Sequence, residues 1–222
     1  MIRGYVQTMK TIAIASQKGG AGKSTLCLHL SVLAAQTGAA LVVDLDPQGS
    51  VSFWHSRRAS ETPLLIQGDA KDLHIYLQAA KAEGVKTVLI DTAPHDSASM
   101  ATAMRLADIV LIPARPSALD LHAVEATLKM VGAIKRPAYV VLSQCPPKRG
   151  FSDPASVTEA RAVVESLGGT TAPVEISHRV IAAQSIIAGQ AVQEIEPGGA
   201  SAQEFAALWQ WIKRELNNGQ KT

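Results

Sequence analysis

Residues 18–25 read Lys-Gly-Gly-Ala-Gly-Lys-Ser-Thr, and they come shortly after the apolar run Thr-Ile-Ala-Ile-Ala at residues 11–15. The small residues let the backbone turn tightly, so that its N–H groups converge on a phosphate. Lys23 adds a positive charge at the β- and γ-phosphates, and the hydroxyl of Ser24 is suited to hold Mg²⁺. The stretch therefore predicts a phosphate-binding loop between a strand and a helix.

This loop departs from the usual phosphate-loop pattern, GxxxxGK[ST]. Gln17 stands where the first glycine belongs, and a second lysine, Lys18, opens the loop instead. Residues 23–37 then show helical spacing of apolar residues, with Gly38 placed to end the helix. We expect the positive N-terminal end of this helix to face the bound anion.

The rest of the chain alternates apolar strands with helical stretches. The predicted strands are residues 11–16, 40–46, 85–91, 107–114, 137–144 and 171–176, and the predicted helices are residues 23–37, 50–58, 70–83, 97–106, 117–132, 153–167 and 201–216. Strands that are apolar without alternation are buried on both faces, so we predict an α/β fold with a doubly wound, mostly parallel sheet. We expect one domain over residues 1–222, with residues 1–10 as an N-terminal extension and candidate disordered segment.

The composition narrows the classes of protein to which this chain can belong. Of the 222 residues 47% are apolar, which supports a buried core and argues against disorder, while the net charge of +2 does not by itself indicate nucleic-acid binding. No apolar run is long enough to span a membrane and the first residues lack a secretory signal, so we expect a cytoplasmic protein. Cys27 and Cys145 lack CxxC spacing, which argues against a zinc site, and Cys27 is predicted to lie in the core.

Acidic residues follow two of the predicted strands. Asp44 and Asp46 fall in Val-Val-Asp-Leu-Asp-Pro-Gln-Gly-Ser, and Asp91 ends the run Thr-Val-Leu-Ile-Asp. In open α/β sheets the ligand lies at the carboxyl ends of the strands. Aspartate also ends strands for turn chemistry alone, but its position beside a phosphate loop favours the Walker B role, in which the carboxylate holds Mg²⁺.

Four motifs together resemble one family. The sequences KGGAGKST at 18–25, DLDPQGS at 44–50, LIDTAP at 89–94 and LIPARPSALD at 111–120 are similar to the motif series of the ParA/MinD family of deviant Walker ATPases. The resemblance extends from residue 11 to about residue 217. The second and fourth motifs favour the ParA side, and the first strand starts so early that we expect a small ParA type without an N-terminal helix-turn-helix domain.

The resemblance implies a weak ATPase that uses ATP and Mg²⁺ and forms a homodimer with the nucleotides sandwiched between subunits. Lys23 would contact the β- and γ-phosphates of its own ATP, Lys18 would reach the partner's nucleotide, and Asp46 would orient the attacking water. The implied metal ligands are Ser24, Asp44 and Asp91. The implied nucleotide-binding residues are Gly19, Gly20, Ala21, Gly22, Lys23, Ser24, Thr25, Gln144 and Pro146, the last two from position alone.

The resemblance also implies nonspecific DNA binding by the ATP-loaded dimer on the nucleoid. A ParB-like or other cargo-adaptor protein would then stimulate hydrolysis and release the dimer. The candidate DNA-binding residues are Arg179, Lys148, Arg149, Lys213 and Arg214. Many relatives carry a further basic residue before the last helix, whereas this chain has Glu196-Pro197-Gly198-Gly199 there, so weaker DNA binding is one expectation.

Two other classes of function remain open at this point. A membrane-associated regulator like MinD would need a basic amphipathic C-terminal helix, and residues 205–216 contain aromatic residues followed by Lys213 and Arg214. Their apolar stripe has the spacing of a helix that packs on a sheet, so we predict core packing and no membrane binding. A metabolic or redox enzyme of the same fold is the other alternative, and its cluster version would need paired cysteines that Cys27 and Cys145 do not provide.

Overall fold

The computed structural model describes residues 8–148 and 152–218. Six parallel strands form one sheet in the order β3-β2-β4-β1-β5-β6. The strands are β1 Lys10–Ile14, β2 Ala40–Asp44, β3 Leu64–Gln67, β4 Thr87–Asp91, β5 Ile109–Ala114 and β6 Ala138–Leu142. The predicted fold class is confirmed. Most of the predicted N-terminal extension and the candidate residue Arg149 lie outside the described residues.

Helices cover both faces of the sheet. They are α1 Lys23–Ala35, α2 Ser50–Ser56, α3 Leu73–Ala82, α4 Ser97–Leu106, α5 Ala118–Ile134, α6 Ala155–Ser166, α7 Val180–Ile187, α8 Val192–Ile195 and α9 Ala200–Asn218. One buried cluster joins the sheet to α1, α2, α8 and α9, and a second joins it to α3, α4, α5 and α6. In β1, Ile12 and Ile14 belong to the first cluster and Ala13 to the second, which explains why residues 12–14 are apolar without alternation.

The C-terminal helix packs on the sheet as predicted. The residues of its apolar stripe are all buried: Phe205, Leu208, Trp209, Ile212 and Leu216. None of the described helices combines the length and the apolar character needed to cross a membrane.

The predicted strand at 171–176 is wrong. The segment runs beside β6 and makes only an isolated bridge there, at Thr171. The Ala172 N–H donates to the Val140 carbonyl at 2.8 Å, but the next bond along, from the Ile176 N–H to the Leu142 carbonyl at 2.8 Å, comes four residues later instead of two. In a regular parallel ladder the Leu142 carbonyl would accept from the Val174 N–H, but here it accepts from Ile176, so the ladder is interrupted between these two bonds.

Three elements lack a prediction from the sequence, namely β3, α7 and α8. β3 lies at the edge of the sheet, where none of its residues is buried, so it has neither the buried run nor the clean alternation that marks a strand. α8 has four residues, which is too short for a helical repeat to stand out, and Ser185 is the one fully buried residue of α7, so that helix shows no buried apolar stripe.

Candidate nucleotide-binding site

The predicted site residues meet at the carboxyl edge of the sheet. Ile14, the last residue of β1, pairs with Asp91 in β4, and Asp44 in β2 pairs with the same residue from the other side. The loop that joins β1 to α1 therefore begins beside both carboxylates. The fold brings the lysines, Ser24 and the aspartates of the sequence motifs together, as parallel strands require.

The loop itself depends on two glycines and on contacts from β6. Gly20 and Gly22 have φ angles of 72° and 94°, a left-handed conformation that other residues rarely adopt. The Ser143 hydroxyl donates to the Ala21 carbonyl at 2.6 Å, and the Gln144 side-chain amide donates to the Gly20 carbonyl at 2.8 Å. The structure thus places Gln144 at the loop, and it adds Ser143, which the sequence analysis missed.

The two lysines of the loop have different environments. Lys23 is buried, and its Nζ donates to the Lys18 carbonyl at 3.2 Å. Burial lowers the pKa of Lys23, while the nearby charges of Asp91 and Asp46 act to raise it. The Lys18 ammonium makes no hydrogen bond or ion pair with the described residues. It is therefore available to a group that the monomer does not supply.

Asp91 is a buried carboxylate that makes no hydrogen bond of regular geometry with the described residues, although the Ser24 hydroxyl lies close by. Burial raises the pKa of Asp91 to about 7. The Ser24 hydroxyl lowers this pKa, the negative charge of Asp44 raises it and the positive charge of Lys23 lowers it. A buried, unpartnered carboxylate beside a serine hydroxyl is an arrangement of hard oxygen ligands that suits Mg²⁺. The residues present therefore fit the metal that the sequence predicts.

The other two aspartates hold the segment between β2 and α2. Asp44 Oδ2 accepts from the Ser52 N–H at 2.9 Å and from its hydroxyl at 2.7 Å, and Asp44 Oδ1 accepts from the Asp46 N–H at 3.1 Å. Asp46 Oδ1 accepts from the Gln48 N–H at 2.9 Å, whereas no described residue donates to Asp46 Oδ2. Asp44 thus orients this segment, and Asp46 keeps one oxygen for another partner. The metal-binding role of Asp44 stays a prediction.

A cleft of about 240 Å³ opens beside the loop. Its walls come from the phosphate loop, the end of β6, α7 and Phe205 of α9, and it includes Thr25 and Gln144 of the predicted nucleotide-binding set. Pro146 is not among the lining residues, although Arg179 is. The shape and the position suit the nucleoside part of a nucleotide whose phosphates lie in the loop.

Two of the predicted DNA-binding cations are already paired with carboxylates. Arg179 Nη2 lies 2.9 Å from Glu204 Oε1, and Lys148 Nζ lies 2.7 Å from Asp153 and 2.8 Å from Glu175. Arg214 is exposed, Lys213 is half-buried, and neither makes an ion pair with the described residues. Arg179 therefore belongs to the wall of the cleft, and of the predicted DNA-binding residues that the structure describes, Lys213 and Arg214 are the two without an ion pair.

A second set of contacts ties α2 to the segment that joins α7 and α8. Trp54 Nε1 donates to the Gln190 carbonyl at 2.9 Å, Arg57 Nε donates to the Ile187 carbonyl at 2.8 Å, and Arg58 forms a bidentate pair with Glu194 at 3.0 and 2.9 Å. The Arg58 side chain is only 3% exposed. We call these contacts the α2 clamp. The sequence shows Arg57-Arg58 only as a basic pair, whose usual place is a solvated surface.

Comparison with known proteins identifies relatives that are similar over most of this chain. Maintenance of carboxysome distribution protein A of Halothiobacillus neapolitanus is 29% identical over 201 residues, which cover 86% of this chain and 90% of that protein. Protein IncC of Escherichia coli is 26% identical over 256 residues, which cover 96% of this chain and 72% of that protein.

Solved structures share the fold. A Cyanothece McdA–ATP complex has a TM-score of 0.73 at 19% identity and covers 92% of this chain and 96% of its own. MinD of Pyrococcus horikoshii with Mg-ADP has a TM-score of 0.76 at 16% identity and covers 96% of this chain and 99% of its own. Residues 12–188 match a family defined as the CobQ/CobB/MinD/ParA nucleotide binding domain. The phosphate loop, the aspartates at the strand ends and these matches agree, and this chain belongs to that family.

Proposed function

We propose that this chain is a ParA-type ATPase that positions an intracellular cargo, DNA or a protein assembly, through an ATP-dependent homodimer. The observation that carries the proposal is the site itself. A buried lysine and an unpartnered buried carboxylate lie at the loop, and the ammonium of a second lysine has no partner among the described residues. We therefore expect the Lys18 ammonium to contact the nucleotide of a partner subunit.

The residues have separate tasks in hydrolysis. Ser24 and Asp91 would hold Mg²⁺, which when bound neutralises charge on the phosphates. Lys23 stabilises the β- and γ-phosphates, and Asp46 Oδ2 is free to accept a hydrogen bond from the attacking water. Phosphoryl transfer depends chiefly on positioning and on charge neutralisation, and these residues provide both. If Lys18 completes the partner's site, hydrolysis requires the dimer and then dissolves it.

Relatives support the part of the proposal that concerns cargo. One is named for carboxysome distribution, one is named Protein ParA, and one is named as a chromosome-partitioning ATPase. We therefore propose low ATPase activity, stimulation by a cargo-adaptor protein and nonspecific DNA binding by the ATP-bound form. Because the apolar stripe of α9 is buried, we do not propose attachment to a membrane through that helix.

The test is the oligomeric state of the full chain with ATP and Mg²⁺, measured by light scattering after gel filtration. We expect the wild-type protein to be a dimer with ATP and a monomer with ADP. Lys18→Ala should bind ATP and stay monomeric, whereas Asp46→Ala should bind ATP and remain a dimer because it does not hydrolyse the nucleotide. Lys81→Ala serves as the control, because Lys81 is an exposed lysine on α3. A monomer of Asp46→Ala under saturating ATP would contradict the proposal.

A further inference from the structure

The fourth motif, LIPARPSALD, has no part in the site described so far. It spans the end of β5 and the start of α5, and β5 lies next to β1 in the sheet. The carboxyl end of β5 therefore opens beside the phosphate loop, on the side opposite to Asp91. Arg115 is the first residue after β5.

Asp120 fixes the orientation of Arg115. The Arg115 Nε donates to Asp120 Oδ1 at 3.1 Å, and the Arg115 backbone N–H lies 3.4 Å from the same oxygen. The other oxygen, Oδ2, accepts from the Ser117 hydroxyl at 2.8 Å. Asp120 is 2% exposed, so both oxygens of a buried carboxylate serve to hold this one turn. Burying a charge is costly unless well-placed hydrogen bonds compensate it. For Asp120 these hydrogen bonds come from Arg115 and Ser117.

The guanidinium lies over the loop. Its Nη2 is 4.0 Å from the point where a Cβ on Gly20 would stand, which is ordinary van der Waals contact. The pair with Asp120 uses Nε, and the two terminal amino groups donate no hydrogen bond to the described residues. The Arg115 side chain is 38% exposed. A guanidinium that is held at one edge and open at the other is suited to bind phosphate oxygens with its planar fork.

The position in the loop indicates which phosphate Arg115 reaches. Gly20 comes before Gly22, the residue that caps α1, so it lies on the side of the loop away from the helix N-terminus. The helix N-terminus, where Lys23 begins α1, is a favoured place for a phosphate. The opposite limb of the loop, which Arg115 covers at Gly20, is then left for the outer end of the phosphate chain.

We propose that Arg115 is a third cation of the nucleotide site, that it contacts the terminal phosphate of the nucleoside triphosphate in its own subunit, and that Asp120 is its positioning residue. This inference rests on the proposed function, because it assumes that the loop binds a nucleoside triphosphate. It adds a means by which the site distinguishes ATP from ADP.

The experiment compares the dissociation constants of a nonhydrolysable ATP analogue and of ADP, both with Mg²⁺, by titration calorimetry on the full chain. A charge-assisted hydrogen bond is worth about 10- to 100-fold in affinity. Arg115→Ala should weaken binding of the analogue by about that factor and binding of ADP by less than about 3-fold. Asp120→Asn should shift the same ratio in the same direction by a smaller factor, and Arg115→Lys should restore part of it. Arg136→Ala is the control, because this arginine is exposed and bonds the Arg105 carbonyl at the opposite edge of the sheet.

A ratio of the two dissociation constants in Arg115→Ala equal to that of the wild type would overturn the inference. This holds whether neither affinity changes or both fall by the same factor, and the second pattern would indicate a distorted loop. Thermal unfolding of each variant shows whether the fold is intact. Failure of the wild-type protein to bind either nucleotide would instead count against the proposed function.

Discussion

Asp91 has both oxygens buried without a donor, and its pKa is raised to about 7, mainly by burial. A cation that binds such a carboxylate stabilises its charged form. Asp91→Asn keeps the shape of the side chain but removes its charge, so Mg²⁺ should strengthen nucleotide binding about 10-fold less in this variant than in the wild type. The measurement is a titration of ADP with Mg²⁺ and with EDTA. An equal effect of Mg²⁺ on both proteins would show that Asp91 does not hold the metal.

His29 is a buried residue that the sequence motifs do not mark. It lies on α1 against Phe205, with ring centroids 4.3 Å apart, and its Nδ1 accepts from the Val192 N–H at 3.3 Å. Burial lowers its pKa to about 3, below the ordinary value of 6.5. Between these values the unfolded chain binds a proton that the folded chain does not bind. The contribution of His29 to stability is therefore present above pH 6.5 and is lost as the pH falls toward 3.

The variant His29→Gln keeps an acceptor for the Val192 N–H but cannot gain a charge. From pH 7 to pH 5 the free energy of unfolding of the wild type should fall by roughly 2 kcal/mol more than that of the variant. Urea unfolding at the two pH values measures the difference. His122→Gln, at an exposed position on α5, serves as the control. Parallel pH curves for wild type and His29→Gln would show that the histidine is not held neutral.

Sequence patterns identify the residues of the site that lie in local motifs, and they miss those that act through the fold. Lys23, Ser24 and Asp91 follow from the loop and from the strand ends. Ser143 approaches the loop from β6, far along the chain, and no local pattern marks such a contact. Arg115 and Asp120 do carry a local signal, since Ser117-x-x-Asp120 has the spacing of a capping box at the start of a helix.

Among the elements, the buried strands are the ones that the sequence predicts best. Five of the six strands lie inside predicted strand ranges or overlap them, because each contains an apolar run that is buried on both faces of the sheet. The sixth, β3, is a half-exposed edge strand, and the segment 171–176 has strand composition but makes only two bonds to β6, four residues apart. Whether a segment joins a sheet depends on its neighbours in space, which composition does not specify.

At the scale of elements, the close packing at the α2 clamp predicts that a side chain added at Gly189 destabilises the fold. Gly189 has a φ angle of 67°, and a Cβ there would lie 2.4 Å from the Arg57 carbonyl group. Gly189→Ala should lower the free energy of unfolding by about 3 kcal/mol, because it adds a clash with the backbone to the cost of the left-handed conformation. Gly168 has a φ angle of 74° with nothing within 4 Å of its Cβ position, so Gly168→Ala should cost only about 1 kcal/mol. Urea unfolding of the two variants compares them directly, and equal losses would rule out the close packing at Gly189.

At the scale of the whole molecule, the charge is nearly balanced, with 21 basic and 19 acidic side chains. Any DNA binding would therefore depend on individual basic side chains that are not already paired with carboxylates. Arg214 is exposed and unpaired with the described residues, whereas Arg179 is bound to Glu204. If the ATP-bound dimer binds DNA, Arg214→Ala should flatten the plot of log affinity against log salt by about one unit for each phosphate that the arginine neutralises.

Arg179→Ala should change that slope by less than Arg214→Ala, because the pair with Glu204 already neutralises Arg179. Fluorescence anisotropy with labelled duplex DNA at several salt concentrations measures both slopes. A larger change for Arg179→Ala would mean that the pair with Glu204 opens when DNA binds. That result would restore Arg179 as the main DNA-binding residue.

Asp44 holds Ser52 at the start of α2, and the other end of α2 grips the turn between α7 and α8. Asp46, whose N–H donates to Asp44, and the outer surface of α7 are thus joined through one short helix. A molecule that shifted α7 through these contacts would also shift the segment that carries Asp46. Thermodynamic linkage would make such a relation reciprocal: a nucleotide in the site would bias the surface of α7 by the same free energy with which a ligand on that surface biases the nucleotide.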